Sequence, residues 1–230
     1  MPPNKSGGPP GHLLRFVIAE RLAHWTKAVL FIVAAAGGLL MWIPSTRQFM
    51  GARRLQFSHF HSGMGILMVL VPLVILITLD RRRFAADIRE VDVWDEDDRR
   101  WFWAAVRLRT LRGREMPPQG RLNAGQKVSS LLVSVFALGL LVTGCILLVR
   151  AQAPPWLVSR ALALHIILAV LSLALFAGHL AHVFLTRHGY DSLRAMLRGT
   201  MSEETARERH RKWWREVADL PMKDNASVDP

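Results

Sequence analysis

The chain has 230 residues, 51% of them hydrophobic, with eight Trp, a single Tyr and a formal net charge of +12. In so apolar a chain a basic balance reads first as a topology signal of membrane spans and not as a nucleic-acid footprint. The lone cysteine, Cys145, excludes an internal disulfide, a CxxCH haem attachment, a CxxC zinc site and a cysteine-ligated iron–sulfur cluster within this chain.

Residues 1–12 are polar and rich in Pro and Gly, which predicts disorder, and they lack the pattern of a signal peptide. Four runs then reach the ~20 apolar residues needed to cross a hydrocarbon core. They are His24 to Ile43, His59 to Leu79, Val128 to Val149 and Leu162 to Leu185. Pro44 and Pro154-Pro155 lie just past span ends, where proline stops a helix at little cost; Pro72, inside the second run, predicts a kink. Trp25, Trp42 and Trp156 sit at span ends, as an interfacial aromatic belt requires. The expected fold is therefore an all-α integral membrane protein, a four-transmembrane-helix bundle within residues 13–190.

Charge orients the bundle. Residues 1–27, 80–127 and 186–230 hold 4, 12 and 9 Lys and Arg, against 3 in 44–58 and 2 in 150–161. The first group is predicted to be cytoplasmic, with both termini inside. In the long connection the mixed charge fits either a short amphipathic surface helix around Asp98 to Arg112 or a solvated loop. The tail over 191–217 reads as helix, turn at Gly199 and basic helix carrying Trp213 and Trp214, lying on the membrane surface or against a partner, with 218–230 disordered.

Histidines inside apolar spans need a partner or a task. His165 and His179 are 14 residues apart, about 21 Å along a helix and nearly on one face. Topology gives each histidine a depth: His24 with His179 at the cytoplasmic level, and His59 or His61 with His165 at the outer level. Two neutral imidazoles facing one another are the axial arrangement of a b-type haem, which needs no covalent link. His59 and His61 stand about 200° apart on a helix, so one of them faces His165, and spacing does not choose between them. His182 is about 100° off the face of His165, whereas His179 is about 40° off. His12, His188 and His210 read as solvent or headgroup histidines, and Arg15, Arg21, Lys27 and Lys127 as candidates for haem propionate or quinone-side pairing. Gly37-Gly38, Gly63, Gly65, Gly139, Gly144 and Gly178 suit the close approach of a macrocycle or of a neighbouring helix.

The segments ERLAHW (20–25), HFHSG (59–63), GRLNAGQK (120–127), LALH (162–165), the His179 position and HRKWWREV (210–217) resemble the gamma, cytochrome b556, subunit of membrane-bound respiratory formate dehydrogenases. The likeness runs over about residues 15–217, and NAGQK is its most specific piece; the scattered histidines are shared with cytochrome b subunits of nickel–iron hydrogenases. The resemblance implies two haem b groups, with His24 and His179 on the cytoplasmic-side iron and His59 and His165 on the outer one. His59 stands four residues before Gly63, as the family's ligand does before a glycine, and His61 keeps the same spacing to Gly65; Phe60 replaces the proline that often follows the ligand. Asn123, Ala124, Gly125, Gln126 and Lys127 correspond to the family's quinone pocket, where an Asn or Gln amide can hydrogen-bond a quinone carbonyl. The residues alone favour a plain helix cap there.

As implied partners come an iron–sulfur beta subunit, through it a molybdenum or tungsten catalytic alpha subunit, quinone and membrane lipid, in the bacterial inner membrane and with no nucleic acid. The chain itself would hold no dehydrogenase centre. A hydrogenase or other molybdoenzyme partner is the first alternative, and a haem-free anchor or transporter, which leaves the matched depths unexplained, is the second.

Overall fold

The computed structural model describes residues 11–107 and 116–218. Of the disorder expected over 1–12 and 218–230, residues 1–10 and 219–230 lie outside this range, as do residues 108–112 of the surface helix considered over 98–112.

Four helices are long and apolar enough to cross a membrane: α1 (Ile18–Trp42), α3 (Arg54–Asp92), α5 (Ala124–Leu148) and α6 (Pro155–Leu185), with the short α2 (Pro44–Met50) and a 3-10 turn between the first two. This is the all-α multi-pass membrane fold that the apolar runs imply. The helices outrun the runs because polar or small residues at their ends still favour helix. Proline sets two of the starts, with Pro44 opening α2 and Pro155 following the Pro154 N-cap of α6, since the N–H that proline lacks has no partner in a first turn anyway. Pro72 does not mark the break in α3. The one residue there with non-helical dihedrals is Asp80, at φ −157° and ψ 75°. Its carboxylate accepts from the Arg83 N–H at 2.9 Å, so Asp80 caps a fresh helical segment after the span.

Contacts divide the chain into two units. One, the span unit, comprises residues 18–86 and 131–186. In it α6 meets α1 through Phe31 and Phe176, whose rings lie 5.2 Å apart, while Gly139 lets α5 lie against Leu168 of α6. Only 6–11% of each most apolar window is buried by protein, so the outward faces keep their Leu, Val and Ile for lipid. Arg83 Nε donates to Glu20 at 3.4 Å, joining the start of α1 to the segment after Asp80.

The second, terminal unit draws its described residues from 11–17, 87–130 and 187–218. Strand β1 (His12–Leu14) pairs antiparallel with β2 (Thr200–Ser202), His12 opposite Ser202, so part of the segment expected to be disordered is structured. Helices α7 (Arg187–Arg198), α8 (Glu203–Arg209) and α9 (Arg211–Val217) enclose a core of Phe16, Ala195, Met201, Ala206, Trp213 and Val217. Gly199 turns between α7 and β2 at φ 87°, a left-handed conformation that glycine adopts without steric cost. Helix α4 (Glu96–Val106) begins in a reciprocal capping box between Asp95 and Asp98. The expected tail helix is thus several short elements, and Trp213 belongs to a protein core.

Candidate functional site

In the span unit, two pairs of histidines meet across helices. His24 of α1 faces His179 of α6 with ring centroids 6.3 Å apart, and His61 of α3 faces His165 of α6 at 6.1 Å. An imidazole nitrogen bonds a transition metal at about 2 Å, so one iron shared by two imidazoles holds their centroids ~6 Å apart. Rings joined by a direct N–H···N bond of ~3 Å would come closer, near 5 Å. Both pairs therefore fit a shared metal better than a direct hydrogen bond.

Ring chemistry at the second pair agrees. His61 Nδ1 lies 2.9 Å from the Ala34 carbonyl oxygen, which can only accept, so Nδ1 carries the proton and donates. Thr143 Oγ1 donates to Gly139 O at 2.7 Å and therefore accepts from His165 Nδ1 at 2.8 Å. Each ring is left with a bare Nε2 lone pair and an orientation fixed from behind, the arrangement that tunes metal-bound histidine. A side-chain carbon on Gly38 would lie 3.2 Å from His61 Cε1, and one on Gly144 would lie 3.6 Å from His165 Cε1. Glycine at 38 is what lets the imidazole lie against α1. At the first pair, His24 packs edge-on against Trp25 at 5.3 Å. Neither His24 nor His179 has a side-chain hydrogen bond among the described residues.

The residue beside His165 is His61 and not the expected His59. His59 is exposed and makes no ring contact with His165, because two residues on a helix turn the side chain to the far side. His182 is also exposed, with Nδ1 3.5 Å from Thr186 Oγ1. His12 and His188 are exposed as expected, whereas His210 is buried in the terminal unit with Nδ1 2.7 Å from Gly120 O. Burial and the nearby Arg15 charge push its pKa down to about 3. Its charged neighbours in sequence gave no sign of this.

The 123–127 motif lies in the terminal unit. Asn123 Oδ1 accepts from the Gln126 N–H at 2.9 Å, and Gln126 Oε1 accepts from the Asn123 N–H at 3.1 Å, a capping box that opens α5. Ala124 is fully buried and its N–H donates to Gln119 Oε1 at 2.8 Å. A side-chain carbon on Gly125 would come 3.0 Å from the Trp101 ring, so glycine there admits the indole. Lys127 Nζ donates to Asp98 Oδ2 at 2.6 Å and to Val93 O at 2.9 Å. Arg15, 2% exposed, donates to Arg121 O at 2.8 Å and to Gln126 Oε1 at 3.2 Å. Arg121 in turn reaches Asp87 at 2.5 Å and Glu90 at 2.7 Å. Arg15 and Lys127 are thus engaged within the protein, while Lys27 makes no side-chain hydrogen bond or ion pair among the described residues. The motif's side chains first serve to start a helix, and their amide NH2 groups remain as donors of another kind.

The family model described as prokaryotic cytochrome b561 matches residues 15–199. Among curated relatives, the formate dehydrogenase cytochrome b556(fdo) subunit of Escherichia coli strain K12 is 28% identical over 89% of this chain and 93% of its own length. The nitrate-inducible formate dehydrogenase cytochrome b556(Fdn) subunit of the same strain is 24% identical over 92% and 94%. The formate dehydrogenase cytochrome b556 subunit of Haemophilus influenzae is 23% identical over 89% and 83%.

Proposed function

We propose a function from a plain fact: the chain belongs to the prokaryotic cytochrome b561 family, haem-binding electron-transfer proteins of membranes. Within it we assign this chain as the cytochrome b subunit of a formate dehydrogenase in the bacterial inner membrane, holding two b haems. The observation that carries the haem assignment is the pair of histidine couples at 6.3 and 6.1 Å, both sharing α6. The likeness of nearly the whole chain to formate dehydrogenase cytochrome subunits supports a place in a multi-subunit formate dehydrogenase, where we take the partner to be an iron–sulfur subunit joined to a molybdenum or tungsten catalytic subunit.

The residues that would hold the haems in this proposal are His24 with His179 and His61 with His165, the latter pair replacing the assignment to His59. Bound b haem supplies one-electron exchange between ferric and ferrous iron. Ala34 and Thr143 hold the Nδ1 protons of His61 and His165 and so keep each Nε2 basic and aimed. With His165 and His179 about 21 Å apart along α6, the two levels suit transfer across the membrane. Haems held by these pairs would offer one-electron steps at the His61 and His24 levels, and a quinone acceptor would take up two electrons and two protons to become quinol. The excess of Lys and Arg in residues 1–27, 80–127 and 186–230 supports a cytoplasmic position for that second level and for both termini. One charge moved across 100 mV stores about 2.3 kcal/mol. For the quinone, the amide NH2 groups of Asn123 and Gln126 are the donors that match a carbonyl.

A reduced-minus-oxidised spectrum with a pyridine haemochrome count tests the reading. Two b haems per wild-type chain are expected, with His165→Ala and His179→Ala each losing a different one. A folded wild-type chain without haem would refute the cytochrome. Two haems that formate fails to reduce in the purified complex would refute only the formate assignment.

A further inference from the structure

The terminal unit contains a cavity of about 670 Å3 that the haem and quinone assignments do not use. That size lies within the ~300–1,000 Å3 of ligand-holding clefts. Glu96, Arg99, Arg100, Trp103 and Arg107 line it from α4, and Arg211 lines it from the start of α9. On α4 these positions recur at helical spacing, so they form one face.

Among the described residues that line it, four arginines meet a single carboxylate, Glu96. Glu96 accepts from Arg100 Nε at 3.1 Å, and that pair neutralises itself. Arg99, Arg107 and Arg211 make no side-chain hydrogen bond or ion pair among the described residues. Three like charges around one concavity repel one another and raise the local concentration of anions. Guanidinium groups donate in planar forks that match phosphate oxygens two at a time. Trp103, 57% exposed, adds an apolar wall at the same place, and the adjacent Val106 is 55% exposed. A mixed rim of this kind suits a phosphate attached to an organic body.

We propose that this groove is a phosphate-binding site, whose ligand is the headgroup of an anionic phospholipid or a soluble phosphoanhydride. The site is independent of the histidine pairs and stands or falls apart from them. Scattered basic anchors would produce the same net charge without a site, and the test separates the two.

The full chain in neutral detergent is titrated in two arms, with phosphatidylglycerol followed by native mass spectrometry and with pyrophosphate followed by calorimetry. Saturable binding of one ligand per chain is expected in at least one arm. Binding in the lipid arm alone names a headgroup as the source, and binding of pyrophosphate alone names a soluble one. Replacing Arg99, Arg107 and Arg211 together by Gln weakens binding about 100-fold, near fivefold for each charge lost. These residues are exposed, and an unchanged circular dichroism spectrum checks that the variant is folded. Arg194→Gln, Arg198→Gln and Arg207→Gln together remove equal charge elsewhere and change affinity by about threefold or less. No saturable binding in either arm, or equal losses in the two triple variants, overturns the proposal.

Discussion

Removing the imidazole of His61 and, separately, that of His59 gives the sharpest test of the site. The His61 ring centroid is 6.1 Å from that of His165, and its Nδ1 is held by Ala34. His59 lies about 200° around the same helix, so across a cylinder ~10 Å wide its ring points away from His165. On the proposed two-haem reading, His61→Ala removes one of the two imidazoles that would hold a haem at this level, and the expected haem content is one per chain instead of two. His59→Ala removes an exposed ring without such a contact and leaves two. The pyridine haemochrome count reads stoichiometry directly, and the low-temperature α-band shows which of the two haems has gone. Adding imidazole to His61→Ala restores the missing haem by filling the position of the lost ring. If His59→Ala drops to one haem while His61→Ala keeps both, the register of α3 argued above is wrong.

Two further outcomes follow from single contacts. Thr143→Val keeps the side chain's shape but removes the acceptor of the His165 Nδ1 proton; haem at that level is retained ~10–100-fold less tightly, measured by transfer to apomyoglobin. His210 has a folded pKa near 3, first from burial and then from Arg15, below its ordinary value, so the unfolded chain binds the extra proton. Its contribution to stability is complete above pH 6.5 and is lost on acidification from there towards 3, by up to about 1.4 kcal/mol per pH unit. The thermal midpoint followed by circular dichroism falls between pH 7 and 5, and His210→Gln flattens that slope; an equal slope in the variant refutes the assignment.

The four spans were legible because twenty apolar residues have little other use, and the histidine levels because depth follows from position in a span. Choosing between His59 and His61 needed the rotational register of α3 against α6, which depends on packing and not on spacing along one helix. The β1–β2 pair was hidden because strands of three residues from opposite ends of the chain carry no local signal. His210 looked solvated in a charged stretch, yet Gly120 O accepts its Nδ1 proton and makes its burial tolerable. The second apolar run stops at Leu79, and nothing in its pattern shows that the Asp80 side chain starts the next helical segment.

Asn123 carries two readings that one substitution pair can divide. As an N-cap it needs only an oxygen that accepts from the Gln126 N–H, at 2.9 Å, and serine supplies one about as well as asparagine. As a quinone ligand it needs the amide NH2, which serine lacks. Asn123→Ser therefore keeps the start of α5, with stability within a few tenths of a kcal/mol of wild type, while Asn123→Ala costs about 1 kcal/mol. If the amide also holds quinone, Asn123→Ser slows quinone-dependent reoxidation of the reduced chain about tenfold, the worth of one hydrogen bond of ~1.4 kcal/mol. Stopped-flow reoxidation by a soluble quinone analogue, on samples with equal haem content and equal thermal midpoint, measures that step apart from folding. Wild-type reoxidation in Asn123→Ser would reduce the 123–127 motif to the architecture of a helix terminus and send the search for quinone to other residues.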